Sequence, residues 1–421
     1  MTSPFRMQRV IAAELLLASV ILLCSANQMD PHMYPEAGPF FEGWYLRIID
    51  LHQNISLGFM FGRVLPSTSL YADVESICQT LALQPFSEDC RKQISEKQAQ
   101  VNLSGYGNMA SSSNLVFLGL LLSLKPDERL ENPEGFFSSS QYYVSVNGQP
   151  VVKNPDDLSP PNFEAKIASN MSFVVNENGT RFSVKIREHL LTGETVQPVP
   201  WGPHGEGPES WLEKLPLPFH WFVYSLRSTV TSFMYMNSET GERITGGTSH
   251  HQLPVVAHLE KNWGNSFPKA WVWSEGVNPE SGVSYAFSAG IVTGAGLDIK
   301  AELSGYRNPG KQISCSFTPA NSLHSLGVDS CTGQVILKVQ SFTHVVVFQV
   351  SAPPKSFSVC LSAPMRDGFR KGCVESFVAV ANITVYHRHI FSLTVIDTQT
   401  VYLSALEFGK AYTCDGQCPG T

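Results

Sequence analysis

Three side chains that can exchange protons or hydrogen bonds recur at every second position of one short segment, VVAHLEKNW. They are His258, Glu260 and Asn262. In an extended strand, residues two apart point to the same side, so the three share a face and Trp263 belongs to the opposite one. An imidazole next to a carboxyl can deliver a proton and recover it. This polar face either looks at water or lines the inside of a barrel, and the segment by itself allows both interpretations.

The following segment, FPKAWVWSE, supplies aromatic surface. Trp271 and Trp273 are two residues apart and share a strand face with Glu275. Burial against indole rings raises the pKa of a carboxyl and keeps it protonated near neutral pH, and aromatic faces attract a developing cation. The two tryptophans therefore predict an aromatic wall beside the acid of the preceding strand. The alternative is that they simply fill the core.

Histidines occur in two other segments. In LPFHWFVYS, His220 alternates with Phe222 and Tyr224 on one strand face, where a histidine is more often structural than catalytic. His250 and His251 are adjacent, and adjacent residues of a strand point to opposite faces, so they do not form a chelating pair. No metal site is predicted.

The segment FFEGWYL places a second acid next to a tryptophan. Glu42 and Trp44 share a strand face. A buried glutamate in this setting is either an acid in a ligand cavity or one half of an ion pair, with Arg47 or Lys261 as candidate partners. Both interpretations are open at this stage.

Short runs rich in β-branched and aromatic residues, separated by Gly, Pro, Asn and Asp clusters, make up most of the chain after Pro39. Such a pattern is typical of sandwiches and barrels, so the sequence predicts an all-β protein with one short helix or irregular loop at 88–100. A chain of 421 residues has room for two such units. The Pro-rich segment 197–218 is the best boundary, giving domains at 27–215 and 216–421. The same segment is alternatively a structured loop across a barrel mouth.

Export is predicted by several features. Residues 1–26 have the positive start, apolar run and small-residue cleavage site of a signal peptide. Five glycosylation sequons occur, at Asn54, Asn102, Asn170, Asn178 and Asn382. Of nine cysteines, Cys24 leaves with the signal, and the simplest of many pairings joins neighbours: Cys78 with Cys90, Cys315 with Cys331, Cys360 with Cys373, and Cys414 with Cys418. We expect a secreted protein or one in the secretory lumen, without a transmembrane segment after signal removal.

Composition and motifs exclude several classes of function. The net charge of −7 offers no footprint for nucleic acid. No GxSxG, Walker, Rossmann, HExxH or EF-hand pattern occurs. A nucleophilic hydrolase or a nucleotide enzyme is therefore unsupported, and no cofactor is expected.

Three segments taken together resemble the tocopherol cyclase-like family: GPFFEGWYLRI, LPLPFHWFVYSL and AHLEKNWGNSFPKAWVW, in that order. The resemblance implies two lipocalin-like β-barrel domains side by side, in a wider group that includes carotenoid hydratases and lipocalin-like cyclases. Plant members protonate the trisubstituted alkene of a prenylated benzoquinol, and the phenolic oxygen closes a chromanol ring on the resulting tertiary cation. The implied ligand is a small, apolar, isoprenoid-like molecule, and a peripheral membrane contact for its pickup is expected. Plant cyclases act in plastids, so an exported relative is not expected to meet the same quinol pool.

The resemblance also implies roles for individual residues. Glu260 stands where the hydratases carry an Asp ahead of their own Trp-Gly, which makes it the proton donor, and His258 would reprotonate it. His220 and Tyr224 would accept the phenolic proton. The substrate-binding candidates besides Tyr224 are Glu42, Trp44, Asn262, Trp263, Trp271 and Trp273. Two alternatives stay open: a non-catalytic secreted carrier of lipids or terpenoids, and a hydratase or pericyclic cyclase acting on another polyene.

Overall fold

The computed structural model describes residues 39–66, 115–124, 130–146, 149–150, 163–247, 253–294, 297–365 and 368–418. Within these ranges the chain consists mainly of antiparallel strands, and the helical pieces are short 3-10 turns at Ser139–Gln141, Ser210–Lys214, Pro309–Lys311 and Pro354–Ser356. The all-β prediction is confirmed. No helix in this part of the chain is long and apolar enough to cross a membrane. The predicted features that lie outside the described residues are the signal peptide, the segment 88–100, Cys78, Cys90, Asn102, His250 and His251.

Among the described residues, the first sheet contains thirteen strands. They are β1 (Phe40–Asp50), β2 (Ile55–Leu65), β3 (Val116–Ser123), β4 (Glu134–Phe137), β5 (Tyr142–Val146), β6 (Gln149–Pro150), β7 (Phe163–Ile167), β8 (Met171–Asn176), β9 (Gly179–Ile186), β10 (His189–Val199), β11 (Phe219–Asn237), β12 (Arg243–Gly246) and β13 (Val256–Gly264). Their order is β4-β3-β2-β1-β13-β11-β10-β9-β8-β7-β5-β6, with β12 beside β11. The first and last of these strands, β1 and β13, are therefore neighbours in the middle of the sheet.

The second sheet contains ten strands. They are β14 (Ala270–Val277), β15 (Ser284–Gly294), β16 (Leu297–Asn308), β17 (Ile313–Phe317), β18 (Leu323–Asp329), β19 (Gln334–Gln340), β20 (His344–Ser351), β21 (Cys360–Met365), β22 (Gly368–Arg388) and β23 (Leu393–Lys410). Their order is β17-β16-β15-β14-β23-β22-β20-β19-β18, with β21 beside β22. Here too the first and last strands, β14 and β23, are paired.

The chain passes from one sheet to the other between Gly264 and Ala270. The sequence-based boundary at 215/216 lies inside the first sheet, because β10 and β11 on either side of it are paired neighbours. The Pro-rich segment between them is a structured loop: Trp201 is buried and donates its indole N–H to Ser316 Oγ of the second sheet at 2.7 Å. Prolines mark a segment that cannot pair as a central strand, but they do not indicate where a sheet ends.

Each sheet has a core of its own, and the two sheets share a third apolar cluster. Trp44 and Phe59 belong to the first core, and Tyr285 and Phe348 to the second. The shared cluster, which we call the seam, is rich in aromatic side chains and includes Trp201, Trp221, Trp271, Trp273 and Phe377, with Tyr45 and Phe267 packed against it. Because strand residues alternate between faces, β1, β11 and β13 serve the first core with one face and the seam with the other.

The disulfide pairing differs from the neighbour-to-neighbour prediction. The observed disulfide bonds are Cys331–Cys414 and Cys360–Cys418. Cys315 and Cys373 are free, buried thiols. Cys373 is opposite Leu361 across β21 and β22, one position away from Cys360, and an offset of one residue turns two side chains to opposite faces. The predicted pairs Cys315–Cys331, Cys360–Cys373 and Cys414–Cys418 are therefore wrong. Two disulfides are nevertheless consistent with an oxidising compartment.

Four of the predicted sequons fall on described residues. Asn54 and Asn178 are exposed in the β1–β2 and β8–β9 turns, Asn382 is exposed on β22, and Asn170 is half-buried in the β7–β8 turn. Three of the four positions are thus open to a bulky surface modification. Glycosylation itself stays a prediction.

Candidate active site

The central strands of the first sheet carry the predicted acid. Across β1 and β13, Tyr45 is opposite Glu260 and Arg47 is opposite His258. Directly opposite residues of an antiparallel pair project to the same side, and hydrogen bonds from Tyr45 and Arg47 to the second sheet show which side this is. The polar face of β13 is therefore turned to the seam between the two sheets, and neither toward open water nor into the first core.

Two nitrogen atoms contact the same oxygen of Glu260. His258 Nε2 lies 3.0 Å from Oε2, and the indole N–H of Trp273 donates to Oε2 at 3.2 Å. His258 Nδ1 lies 3.4 Å from the carbonyl oxygen of Leu226, and the imidazole is fully buried. The contacts with His258 and Trp273 thus fall on one oxygen, and they orient the carboxyl from the second sheet as well as from its own strand.

Burial is the largest influence on both members of this pair. It raises the pKa of Glu260, and the contacts with His258 and Trp221 oppose this shift in part. Burial lowers the pKa of His258, but the carboxylates of Glu275 and Glu260 outweigh burial, so the net shift of that pKa is upward. Both groups therefore hold a proton to higher pH than they would in water.

A cavity lies beside Glu260, between the two sheets. Its volume is about 110 Å³, several times the ~10–15 Å³ that one water molecule requires. Its walls are mostly aromatic and include Tyr45, Phe117, Phe219, Trp221, Phe267, Trp271 and Trp273. Asn262 lines it on the β13 side. An apolar hollow with a few convergent polar groups is the usual form of a small-molecule site.

The second sheet contributes two more acids to the cavity wall. Glu375 and Glu407 are opposite each other on β22 and β23. The hydroxyl of Tyr45 donates to Glu375 Oε1 at 3.1 Å, and the indole N–H of Trp271 donates to Glu407. Burial and the neighbouring Glu407 raise the pKa of Glu375 well above its ordinary range, and burial raises the pKa of Glu407 to about 7. Two adjacent buried carboxyls do not readily ionise together, so this wall keeps a proton near neutral pH.

A buried ion pair joins the two sheets next to these groups. Arg47 Nε lies 2.5 Å from Glu275 Oε1, and both side chains are fully buried. Arg47 also donates to the carbonyl oxygen of Leu403 at 2.9 Å, so it contacts β14 and β23 together. Glu275 shares a face with Trp271 and Trp273. Unlike Glu260, it forms an ion pair with a buried guanidinium, that of Arg47.

Glu42, Trp44 and Trp263 have their side chains on the other face, in the first core. Glu42 lies 2.8 Å from Arg63 Nε and 3.5 Å from Lys261 Nζ, and the ammonium group of Lys261 lies over the rings of Trp44 and Trp263. The ion-pair interpretation of Glu42 therefore holds, with Arg63 as an additional partner. Glu42 and Trp44 border the cavity, whereas Trp263 does not line it, so its predicted role as a cavity wall is not supported.

His220 and Tyr224 are also directed into the first core. His220 Nδ1 lies 2.7 Å from Glu209 Oε2, and its ring stacks on Trp263 at 5.0 Å. The hydroxyl of Tyr224 donates to a main-chain carbonyl oxygen of β8 at 3.2 Å. Trp221, the neighbour of His220, is the residue that lines the cavity, because adjacent strand residues point to opposite faces. The predicted role of both residues as phenolic proton acceptors conflicts with this geometry.

Sequence reasoning missed most of the cavity lining, and the polar and indole-bearing members among the missed residues include Tyr45, Trp221, Glu375 and Glu407. The sequence did mark the two acids, because each is the lone charged residue of an otherwise apolar strand, CVESFVAVA or LSALEFG. Burying an unpaired charge is costly, so such a residue is a candidate for a functional site. Tyr45 and Trp221 are the immediate neighbours of predicted residues. Choosing between neighbours requires knowing which strand face meets the second sheet.

Fold and site together define a class: an all-β protein of two antiparallel sheets with a buried, carboxyl-bearing aromatic cavity at their seam. The model of the tocopherol cyclase-like family matches residues 131–410, which is more than half of the chain. This chain therefore belongs to the tocopherol cyclase-like family. The match contains Glu260 and both acids of the second sheet, whereas GPFFEGWYLRI precedes it.

Solved structures are similar to this chain at low sequence identity. A putative AttH from Nitrosomonas europaea is similar over 91% of this chain and 100% of its own, with 13% identity and a TM-score of 0.46. CghA is similar over 90% of this chain and 89% of its own, with 10% identity and a TM-score of 0.50. The structure of CghA with Sch210972 is similar over 88% of this chain and 88% of its own, with 10% identity and a TM-score of 0.47. The likeness at these identities concerns the fold alone. A search of curated proteins gives no match.

Proposed function

We propose that this protein is an acid catalyst that closes the chromanol ring of a prenylated benzoquinol. The observation that carries the proposal is the setting of Glu260: a buried carboxyl with a raised pKa, held by His258 and Trp273 at the edge of an aromatic cavity. A raised pKa keeps a general acid protonated near neutral pH. Family membership supports the cyclase or hydratase class, and the prenylated quinol is the proposed substrate.

In the proposed reaction the proton leaves from the free oxygen of Glu260. His258 and Trp273 both contact Oε2, so Oε1 delivers the proton to the less substituted alkene carbon. The resulting tertiary cation lies among indole rings, of which Trp221 and Trp271 line the cavity with Trp273. The phenolic oxygen attacks the cation, a C–O bond forms, and the phenolic proton returns to Glu260, directly or through His258. Atoms and electrons balance, because the reaction is an isomerisation.

The second-sheet wall supplies partners for the quinol hydroxyl groups. Glu375 Oε2 is buried and has no hydrogen-bond partner among the described residues, while Oε1 accepts from Tyr45. A ring hydroxyl placed at Oε2 would satisfy that oxygen and hold the phenolic ring in a fixed orientation. Orientation of this kind lowers the entropic part of a ring-closure barrier.

Substituting Glu260 by Gln tests the proposal. Conversion of prenylated quinols to chromanols, followed by chromatography, should fall by about 10²–10⁴-fold, whereas quinol affinity should stay nearly unchanged because the amide has the size of the acid. The matched control is Glu302→Gln. Glu302 is a buried carboxyl of the second core, its pKa is raised to about 8 by burial, and it does not line the cavity, so this variant should retain activity.

The products and the binding data separate the alternatives. Binding of a prenylated quinol without conversion by the intact protein would support the carrier. A tertiary alcohol in place of a chromanol would support a hydratase. If no quinol in a panel of tail lengths binds or reacts, the proposal is wrong.

We further propose that the protein is exported and glycosylated. The two disulfides support an oxidising compartment, and Asn54, Asn178 and Asn382 are exposed. Peptide mass mapping of the protein secreted from eukaryotic cells should find glycans at these asparagines and a mature N-terminus near residue 27. Unmodified asparagines together with an intact leader would contradict this.

A further inference from the structure

Two turns of the second sheet hold large apolar side chains in solvent. Phe342, in the β19–β20 turn, is 94% exposed, and Ile390 and Phe391, in the β22–β23 turn, are 89% and 98% exposed. The turns are side by side, because the main-chain N–H of Arg388 donates to the carbonyl oxygen of Thr343 at 2.8 Å. Two exposed residues beside them complete a surface that we call the apolar tip, consisting of Leu323, Phe342, Ile390, Phe391 and Leu393.

The charged residues of the segments that form the apolar tip are all basic. Segments 321–326, 336–346 and 384–396 contain Lys338 and Arg388 and no Asp or Glu. They also contain four histidines, His324, His344, His387 and His389. The guanidinium of Arg388 donates to the carbonyl oxygen of the β19–β20 turn at 3.2 Å, which places a permanent positive charge between the two turns. This is notable in a chain whose net charge is −7.

Apolar tips ringed by basic groups suit the boundary of a lipid bilayer. Phenylalanine, leucine and isoleucine side chains gain free energy by entering the acyl region, while cationic groups remain at the level of anionic headgroups. We infer that the apolar tip is a membrane-docking surface that inserts into an anionic bilayer. The sign of the charge favours this occupant over a second copy of the chain, because a symmetric contact between two tips would bring like charges together.

The apolar tip is an anchor and not the mouth of the cavity. It lies at the far end of β22 from Glu375, roughly 40 Å away at about 3.3 Å per residue. The inference therefore goes beyond the proposed function and stands whether or not the cavity performs ring closure.

Vesicle sedimentation of the full protein tests the inference. The intact protein should sediment with vesicles of phosphatidylcholine and phosphatidylserine, and more weakly with phosphatidylcholine alone or at high salt. The double variant Phe342→Ser/Phe391→Ser should bind at least about tenfold more weakly. The control Tyr402→Ser removes an aromatic ring that is 61% exposed farther along β23, and it should bind as the intact protein does.

Three results would overturn the inference. They are no sedimentation of the intact protein with either vesicle, equal binding by the double variant, and a change from dimer to monomer on substituting the apolar tip, which would make a second copy the occupant. The substituted side chains are exposed, so matching circular dichroism and unfolding temperatures are expected for all variants. Vesicle binding is measured without quinol, so its failure is distinguishable from a failure of the proposed function.

Discussion

The two faces of the β1–β13 pair bury glutamates in opposite ways. On the face turned to the first core, Glu42 contacts two cations, Arg63 and Lys261. On the face turned to the seam, Glu260 contacts a histidine and an indole N–H. Glu42 is thus one member of a buried ion-pair cluster, whereas burial raises the pKa of Glu260.

The second sheet repeats the seam's arrangement. Both of its cavity acids accept hydrogen bonds from neutral donors: Glu375 from the hydroxyl of Tyr45, and Glu407 from the indole N–H of Trp271. Arg47 is nearby, but Glu275 matches its charge. Burial alone therefore does not indicate a catalytic acid, because the charges of the surrounding groups distinguish an ion-pair partner from a candidate proton donor.

The largest effects on the free energy of unfolding are expected from two single variants, each of which removes a buried cation from one of the two faces. Arg47→Met leaves Glu275 buried without its cation and should lower the free energy of unfolding by about 3–5 kcal/mol. Arg63→Met leaves Glu42 with Lys261 and should cost less, about 1–3 kcal/mol. Urea unfolding measures both, and equal losses would contradict the difference between the faces.

The pH dependence of the reaction should sharpen the assignment of Glu260. Above the pKa of Glu260, kcat/KM should fall about tenfold per pH unit. His258→Asn removes an influence that lowers this pKa, so the descending limb should move to higher pH even if the maximal rate drops. A rate that is flat from acid to alkaline pH, or a limb that does not move, would count against this acid.

Glu407 should make the protein less stable as pH rises. Its pKa is raised from 4.5 to about 7, chiefly by burial, so the folded state binds more protons than the unfolded state between these values. The free energy of unfolding therefore falls as pH rises through this window, and this contribution is fully lost above about pH 7. In the Glu407→Gln variant, this contribution to the change of the free energy of unfolding with pH should be missing. Urea unfolding on both sides of the window measures it, and identical slopes would contradict the shift.

The smallest effect is expected at Cys373, a free buried thiol of the seam. Cys373→Ala should change the free energy of unfolding by about 1 kcal/mol, and peptide mapping without reduction should still find Cys331–Cys414 and Cys360–Cys418. Loss of a disulfide bond in this variant would mean that Cys373 is paired after all.

Local periodicity predicted the fold class and part of the candidate site. Strand alternation correctly placed His258, Glu260 and Asn262 on one face, because it depends only on neighbouring residues. It could not identify what covers that face, since Glu375 and Glu407 come from strands more than a hundred residues further along. Pairing of the nearest cysteines failed for the same reason, because the observed partners Cys331–Cys414 and Cys360–Cys418 are 83 and 58 residues apart.

The pairing of β1 with β13 and of β14 with β23 has a consequence for biosynthesis. Each sheet is completed by joining its earliest strand to its latest, and the walls of the cavity come from all four. Ribosomal synthesis therefore delivers Glu407 of β23 after β1, β13 and β14 have been made, so the cavity wall stays incomplete until β23 is added. Folding dominated by such long-range pairings is slow, and the unpaired edges of β1 and β14 are where we expect chaperones to bind during synthesis.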